Sequence, residues 1–310
     1  MALDIKDVEH LLRKLHDDAV SDYEVRLARG RRLQDLTANR SDRRRAELIA
    51  ILGNEVDIDR LDAVRDDDER ALAEHMTEER NRIAEPPNHD DARRRNLRAG
   101  VLDAHQGLRR VPVAAATLLA RDKASLEGNP GERGNPWVFP WNPGRVKVFA
   151  MDQGHGWGCA AAAATGIENA SVTFWFPFVP DVTGWWYLDT FVTLHGYRLL
   201  QSNGGWFTCN NSSARLAITM DVFQYGHRIS RRSWAEFNID QGEIHEAERV
   251  DIYGQYDCRT ALGGGDWVVV GLRVDLQTNA RGHHSLSEIN FSDGVANYIE
   301  PEMVAGSPVR

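Results

Sequence analysis

Four side chains in this sequence have the types and spacing for recognition chemistry: Trp175, Trp185, Tyr187 and Asp189. Flat indole and phenol faces pack against the C–H faces of sugar rings, and a carboxylate beside them accepts hydrogen bonds from hydroxyls. Trp185, Tyr187 and Asp189 alternate, so on a strand they project from one side. Trp175 takes the same outward position on the preceding run. The plainer reading is a sheet face covered by a neighbouring subunit or by the chain's own N-terminal region.

Covalent and metal chemistry find no comparable footing. The sequence has no G-x-S-x-G elbow, no H-E-x-x-H, no C-x-x-C and no G-x-x-x-x-G-K-[ST] loop. Glu243 and His245 share a strand face, but as part of an acidic stretch read more simply as an exposed loop. His155 lies between glycines, as a turn residue does. Adjacent His283 and His284 follow Asn279–Gly282, read as a hairpin tip, and on a strand they point oppositely. Carboxylate pairs such as Asp189 with Glu236, or Asp251 with Asp257, have the composition a glycosidase needs. Any acid-rich β region supplies such pairs. No catalytic residue, metal ligand or cofactor is assigned, and the chain reads as non-catalytic.

The elements that must position the aromatic residues lie in Ser171–Leu194, SVTFWFPFVPDVTGWWYLDTFVTL. Two runs rich in aromatic and β-branched residues are separated by Pro180, Asp181 and Gly184, as strands by a turn. Val172, Phe174, Phe176 and Phe178 share one face of the first. Trp186, Leu188, Val192 and Leu194 share one face of the second, with Trp185, Tyr187, Asp189 and Phe191 opposite. Further alternations run through Ala214–Val222 and Val268–Leu276. Others are expected at Val146–Met151, at Val250–Tyr256 ending in Gly263–Gly265, and at Val295–Ile299 near a Pro301 stop. Eight to ten strands without intervening long helices argue against a parallel α/β sheet and for an antiparallel sandwich of jelly-roll or lectin-like kind.

The rest of the chain differs. All nine Trp, all ten Phe and all three Cys follow residue 136, whereas 51 of the first 128 residues are charged; the two regions must therefore fold by different means. Val8, Leu11, Leu12, Leu15, Ala19 and Tyr23 recur at helical spacing. Helical stripes continue through Ala46–Leu52, Val56–Val64 and Leu97–Leu102, with a stop at Pro86-Pro87 and a short helix after Pro112. Such narrow stripes need a partner face. A helical hairpin or an oligomerising stalk fits them. The Gly/Pro-rich stretch 127–136 is the boundary, giving a helical interaction region over 1–128 and a β-sandwich over 129–310. Trp137, Phe139, Pro140 and Trp141 are expected to pin the linker to the sandwich's outer face or to offer stacking surfaces. The class is thus α+β in two parts.

A net charge of −9 argues against nucleic acid as partner, and the Arg40–Arg45 and Arg93–Arg98 clusters have acids nearby and no interleaved aromatics. No run is long and apolar enough for a membrane span, and Met1–Leu12 lacks the apolar core of a secretory signal. Synthesis in a cytoplasm follows, with a place in a particle or a non-classical exit as the route outside. Cys209 and Cys258 could face each other across a sheet, but free core thiols are the simpler reading. The expected function is structural or recognition work as in a fibre, spike or particle-decorating component. Helices would assemble a homo-oligomer, a trimer by analogy, and the sandwich would bind a glycan or another protein. Alternatives are a carbohydrate-active hydrolase or lyase and an intracellular partner-binding module.

Overall fold

A computed structural model describes residues 10–18, scattered helical positions between 21 and 75, and residues 77–83, 111–112, 137–141, 160–163, 166–202, 210–281, 285–291 and 298–309. The β region is two antiparallel sheets packed face to face. Strands in chain order are β1 (Val111–Pro112), β2 (Trp137–Trp141), β3 (Ala160–Ala163), β4 (Gly166–Phe178), β5 (Gly184–Ser202), β6 (Asn211–Gln224), β7 (His227–Gln241), β8 (Ile244–Leu262), β9 (Val268–Arg281), β10 (Ser285–Asn290) and β11 (Tyr298–Pro308).

One sheet runs β2-β4-β9-β6-β7. The other is built around β5, which pairs with β8 along its whole length on one edge. Its other edge is shared by two strands end to end, β11 against Trp186–His195 and β10 against Tyr197–Ser202. β3 extends β10 and β1 extends β11. Every step in the chain order changes sheet except two: β6 and β7 form a hairpin within one, and β10 and β11 share the other.

Period-two patterning explains the core. Val172, Phe174, Phe176 and Phe178 of β4, Ala214–Val222 at even positions of β6, and Val268–Leu276 at even positions of β9 all face inward. They meet Trp186, Leu188, Val192 and Leu194 of β5 with Val250, Tyr256 and Cys258 of β8. Each such aliphatic or aromatic side chain removed from water contributes about 1.5–3 kcal/mol before entropy is set against it. Cys258 is a buried free thiol, held protonated up to about 11 by burial and by the Asp257 charge; Cys209 lies outside the described residues.

Several local expectations are corrected. Val111 and Pro112 are strand residues that pair with Gly306 and Ala305 at a sheet edge, where a proline's missing N–H costs no ladder bond, and the helix expected after Pro112 lies outside the described residues. Trp137–Trp141 is a strand beside β4 rather than a cover over a sheet face. Pro301 does not end the last strand, because a register shift between Pro301 and Met303 absorbs its missing donor and β11 continues to Pro308. Asn279–Gly282 is no hairpin tip, since β9 and β10 belong to different sheets. The expected strand at 146–151, the helix at 90–108 and the boundary at 127–136 lie outside the described residues.

The described N-terminal helical residues touch both sheets. In the 10–18 segment, Leu12 and Leu15 are buried against Trp175, Phe223 and Val269 on the outer face of β4, β9 and β6. In the 77–83 segment, Ile83 is buried against Tyr197 and Leu199 on the outer face of β5.

Candidate functional site

The four sequence-predicted residues part company. Trp175 lies on β4, and Trp185, Tyr187 and Asp189 lie on β5 in the opposite sheet. Trp175 is 1% exposed, enclosed by Leu12, Leu15, Phe223 and Val269, so it offers no surface for stacking. Its ring lies over Gly271, where a Cβ would come 2.5 Å from the indole. Asp189 is 0% exposed, opposite Asp257 on β8. Trp185 is 61% exposed. Tyr187 is half-buried, with the Arg259 guanidinium 5.5 Å from its ring centre. The alternation is real, but accessibility falls along β5 from Trp185 inward.

Trp185 belongs to one end of the sandwich, where three connections meet. These are the β4–β5 link (179–183), the β6–β7 hairpin turn (Tyr225-Gly226) and the β8–β9 link (263–267). Hydrogen bonds lock them together. Gly265 N donates to Pro180 O at 2.8 Å, and Gly264 N to Thr183 Oγ1 at 2.8 Å. The Gln224 side-chain amide pairs with Gly263 as a second backbone would, Nε2 donating to its carbonyl at 2.8 Å and Oε1 accepting from its N–H at 2.9 Å. Trp186 Nε1 donates to Val182 O at 3.1 Å and Val309 N to Trp185 O at 2.6 Å. At Gly264 a Cβ would sit 2.7 Å from the backbone of Val182 and Thr183, so only glycine allows this approach.

Tyr225 is the residue the sequence did not single out. It takes φ +56° beside Gly226 at +77°, the two-residue turn whose twist suits a hairpin. Left-handed backbone is costly for a tyrosine. Its hydroxyl donates to Asp266 Oδ2 at 2.9 Å, and that accepting carboxylate holds the phenol protonated beyond its usual range. The ring is nevertheless 65% exposed. Val179, Val182 and Val309 are also exposed at this end. A lone tyrosine before a glycine carries no sequence signal beyond the turn; Gly263-Gly264-Gly265-Asp266-Trp267 was the visible mark of a constrained loop.

Two large exposed rings, Trp185 from one sheet and Tyr225 from the other, thus stand at the end where these connections are hydrogen-bonded together, Tyr225 directly against the Gly263–Asp266 link. Such a surface can stack and exclude water. Among the described residues no group of three His, Cys, Asp or Glu side chains is placed to share a metal ion. His195 Nδ1 and Asp251 Oδ1 lie 2.6 Å apart elsewhere on β5 and β8. Burial raises the Asp251 carboxyl, but the His195 bond and the Arg249 charge outweigh it and leave the group below its ordinary value.

No family model matches the sequence, and no curated protein does. Solved structures similar to the chain include a family 61 carbohydrate-binding module in complex with β-1,4-galactotriose, at 10% identity, covering 56% of this chain and 88% of that one, with a TM-score of 0.23. A module from Cellvibrio mixtus lichenase 5A in complex with cellotriose shares 11% identity over 51% and 94% of the two chains, TM-score 0.18. A family 27 module described for mannan recognition shares 12% over 58% and 93%, TM-score 0.23. Scores this low fix neither topology nor ligand.

Proposed function

We propose that this protein is a non-catalytic recognition protein whose β-sandwich binds a glycan at the loop end, with Trp185 and Tyr225 as stacking platforms. The supporting observation is two large aromatic rings left mostly in water at the end where hydrogen bonds tie the three connections together. Exposed aromatic surface costs solubility and is worth keeping where a ligand covers it. Preorganised rings lose little entropy on binding, which raises affinity for a weakly hydrated flat face. Tyr187 with Arg259 extends the same surface along β5. The helical region anchors or assembles the protein, as in a fibre or particle component, through faces other than the two that grip the sandwich.

A glycan array followed by calorimetry tests this. The intact chain binds at least one neutral oligosaccharide, and Trp185→Ala and Tyr225→Ala each weaken binding tenfold or more while the fold stays intact by circular dichroism. Absence of binding across the array, or an unaffected Trp185→Ala, overturns it.

A further inference from the structure

On the outer face of β5 and β10, Tyr197, Glu288 and Asn290 form a polar cluster that the recognition surface does not use. Its members are buried: Tyr197 and Asn290 are fully enclosed and the Glu288 side chain is 4% exposed. The arrangement is directional. Glu288 Oε1 accepts from the Tyr197 hydroxyl at 3.1 Å and from Asn290 Nδ2 at 3.2 Å, and Asn290 Nδ2 also donates to the Tyr197 oxygen at 2.9 Å. Glu288 Oε2 faces the other way and takes two donors from one edge of the Arg80 guanidinium, Nη2 at 2.6 Å and Nε at 3.1 Å.

We infer that Glu288, Tyr197 and Asn290 form a guanidinium-recognition site that Arg80 fills from within the chain, and that an arginine side chain of a partner segment can fill in its place. The carboxylate is fixed by two neighbours on rigid strands before any cation arrives, so its orientation is set by the sandwich and not by the helix. A buried carboxylate is costly without a cation, and two in-plane donors from one group are what a guanidinium has and an ammonium lacks. Among the described residues of the 77–83 segment, Ile83 alone is buried as an apolar side chain, and its carbonyl accepts from Arg249 Nη1 at 3.2 Å. Arg80 itself remains one-third exposed. The segment thus fills the site as a self-ligand through Arg80, the contact that a competing arginine would replace.

The experiment uses the full chain carrying Arg80→Ala, with ethylguanidinium as probe and ethylammonium at equal ionic strength as control. Thermal unfolding reads occupancy. Arg80→Ala melts below the wild type, and low-millimolar ethylguanidinium recovers part of that loss with at least tenfold higher apparent affinity than ethylammonium. Wild type, its site filled, shows no such shift, and Arg80→Ala/Glu288→Gln shows none. Equal effects of the two cations, or a shift that survives Glu288→Gln, overturn the proposal. Should Arg80→Ala fail to fold, hydrogen exchange of the wild type decides. N-acetylarginine amide then raises exchange over 77–83 while the lysine analogue does not, and identical behaviour of the two analogues overturns the proposal.

Discussion

Trp175 and Trp185 are ten positions apart, both outward-facing on consecutive strands of opposite sheets, and they end in opposite environments. Trp175 lies on a sheet face that the 10–18 segment covers with Leu12 and Leu15, whereas Trp185 stands in water beside the locked loops. The difference lies in what reaches each face from elsewhere in the chain. A helix more than 150 residues upstream turns one tryptophan into core, and nothing among the described residues does so for the other. Aromatic residues off a sandwich's core face are therefore not one class. Those covered contribute stability; those left open are available to a ligand.

The largest effect that would sharpen this contrast is expected from Trp175→Ala. Removing a fully enclosed indole leaves a cavity beneath Leu12 and Leu15 and lowers unfolding free energy by about 3–5 kcal/mol, read by denaturant titration. Gly271→Ala attacks the same packing from below. Its new methyl meets the indole, and a loss of about 1–3 kcal/mol is expected without any change in ligand binding. At the loop end, Gln224→Ala removes both bonds to Gly263 and costs about 1–2 kcal/mol. Because it loosens the frame, it also weakens binding at Trp185, measured on the same samples. Trp185→Ala is expected to change stability by less than about 0.5 kcal/mol, as surface substitutions do, yet on the proposed function to weaken binding tenfold or more. A Trp185→Ala protein as unstable as Trp175→Ala would break the distinction.

The smallest effect concerns acid. The folded-state Asp251 carboxyl lies below its ordinary value, so the contribution is present above pH ~4 and is lost as pH falls through the depressed folded value. Asp251→Asn therefore lowers stability slightly at neutral pH, where the contribution is present, leaves it close to unchanged below the folded value, and so flattens the acid limb of a stability-versus-pH curve; the effect is small because the side chain is partly exposed.

Much of the fold was legible. Phe174, Phe176 and Phe178, or Val268 to Leu276, alternate because one sheet face is core, and a period of two survives any tertiary detail. The fate of the opposite faces was not legible, because it depends on docking by the 10–18 and 77–83 segments, whose stripes reveal a need for a partner but not its address. Tyr225 and Gln224 carry meaning only once three separate turns converge. Asp189 illustrates the limit from the other side: its alternation with Trp185 was right, and its burial could not be read from spacing.

The division of β5's second edge between β10 and β11 has a consequence in time. On a chain made from its N-terminus, β5 and β8 can pair as soon as residue 262 is available, but the far edge of β5 stays open until residues 285–308 have followed. An open nineteen-residue strand invites pairing with other chains. The last two strands thus act as a closing seam, and the molecule is most vulnerable to aggregation in the interval before they are made.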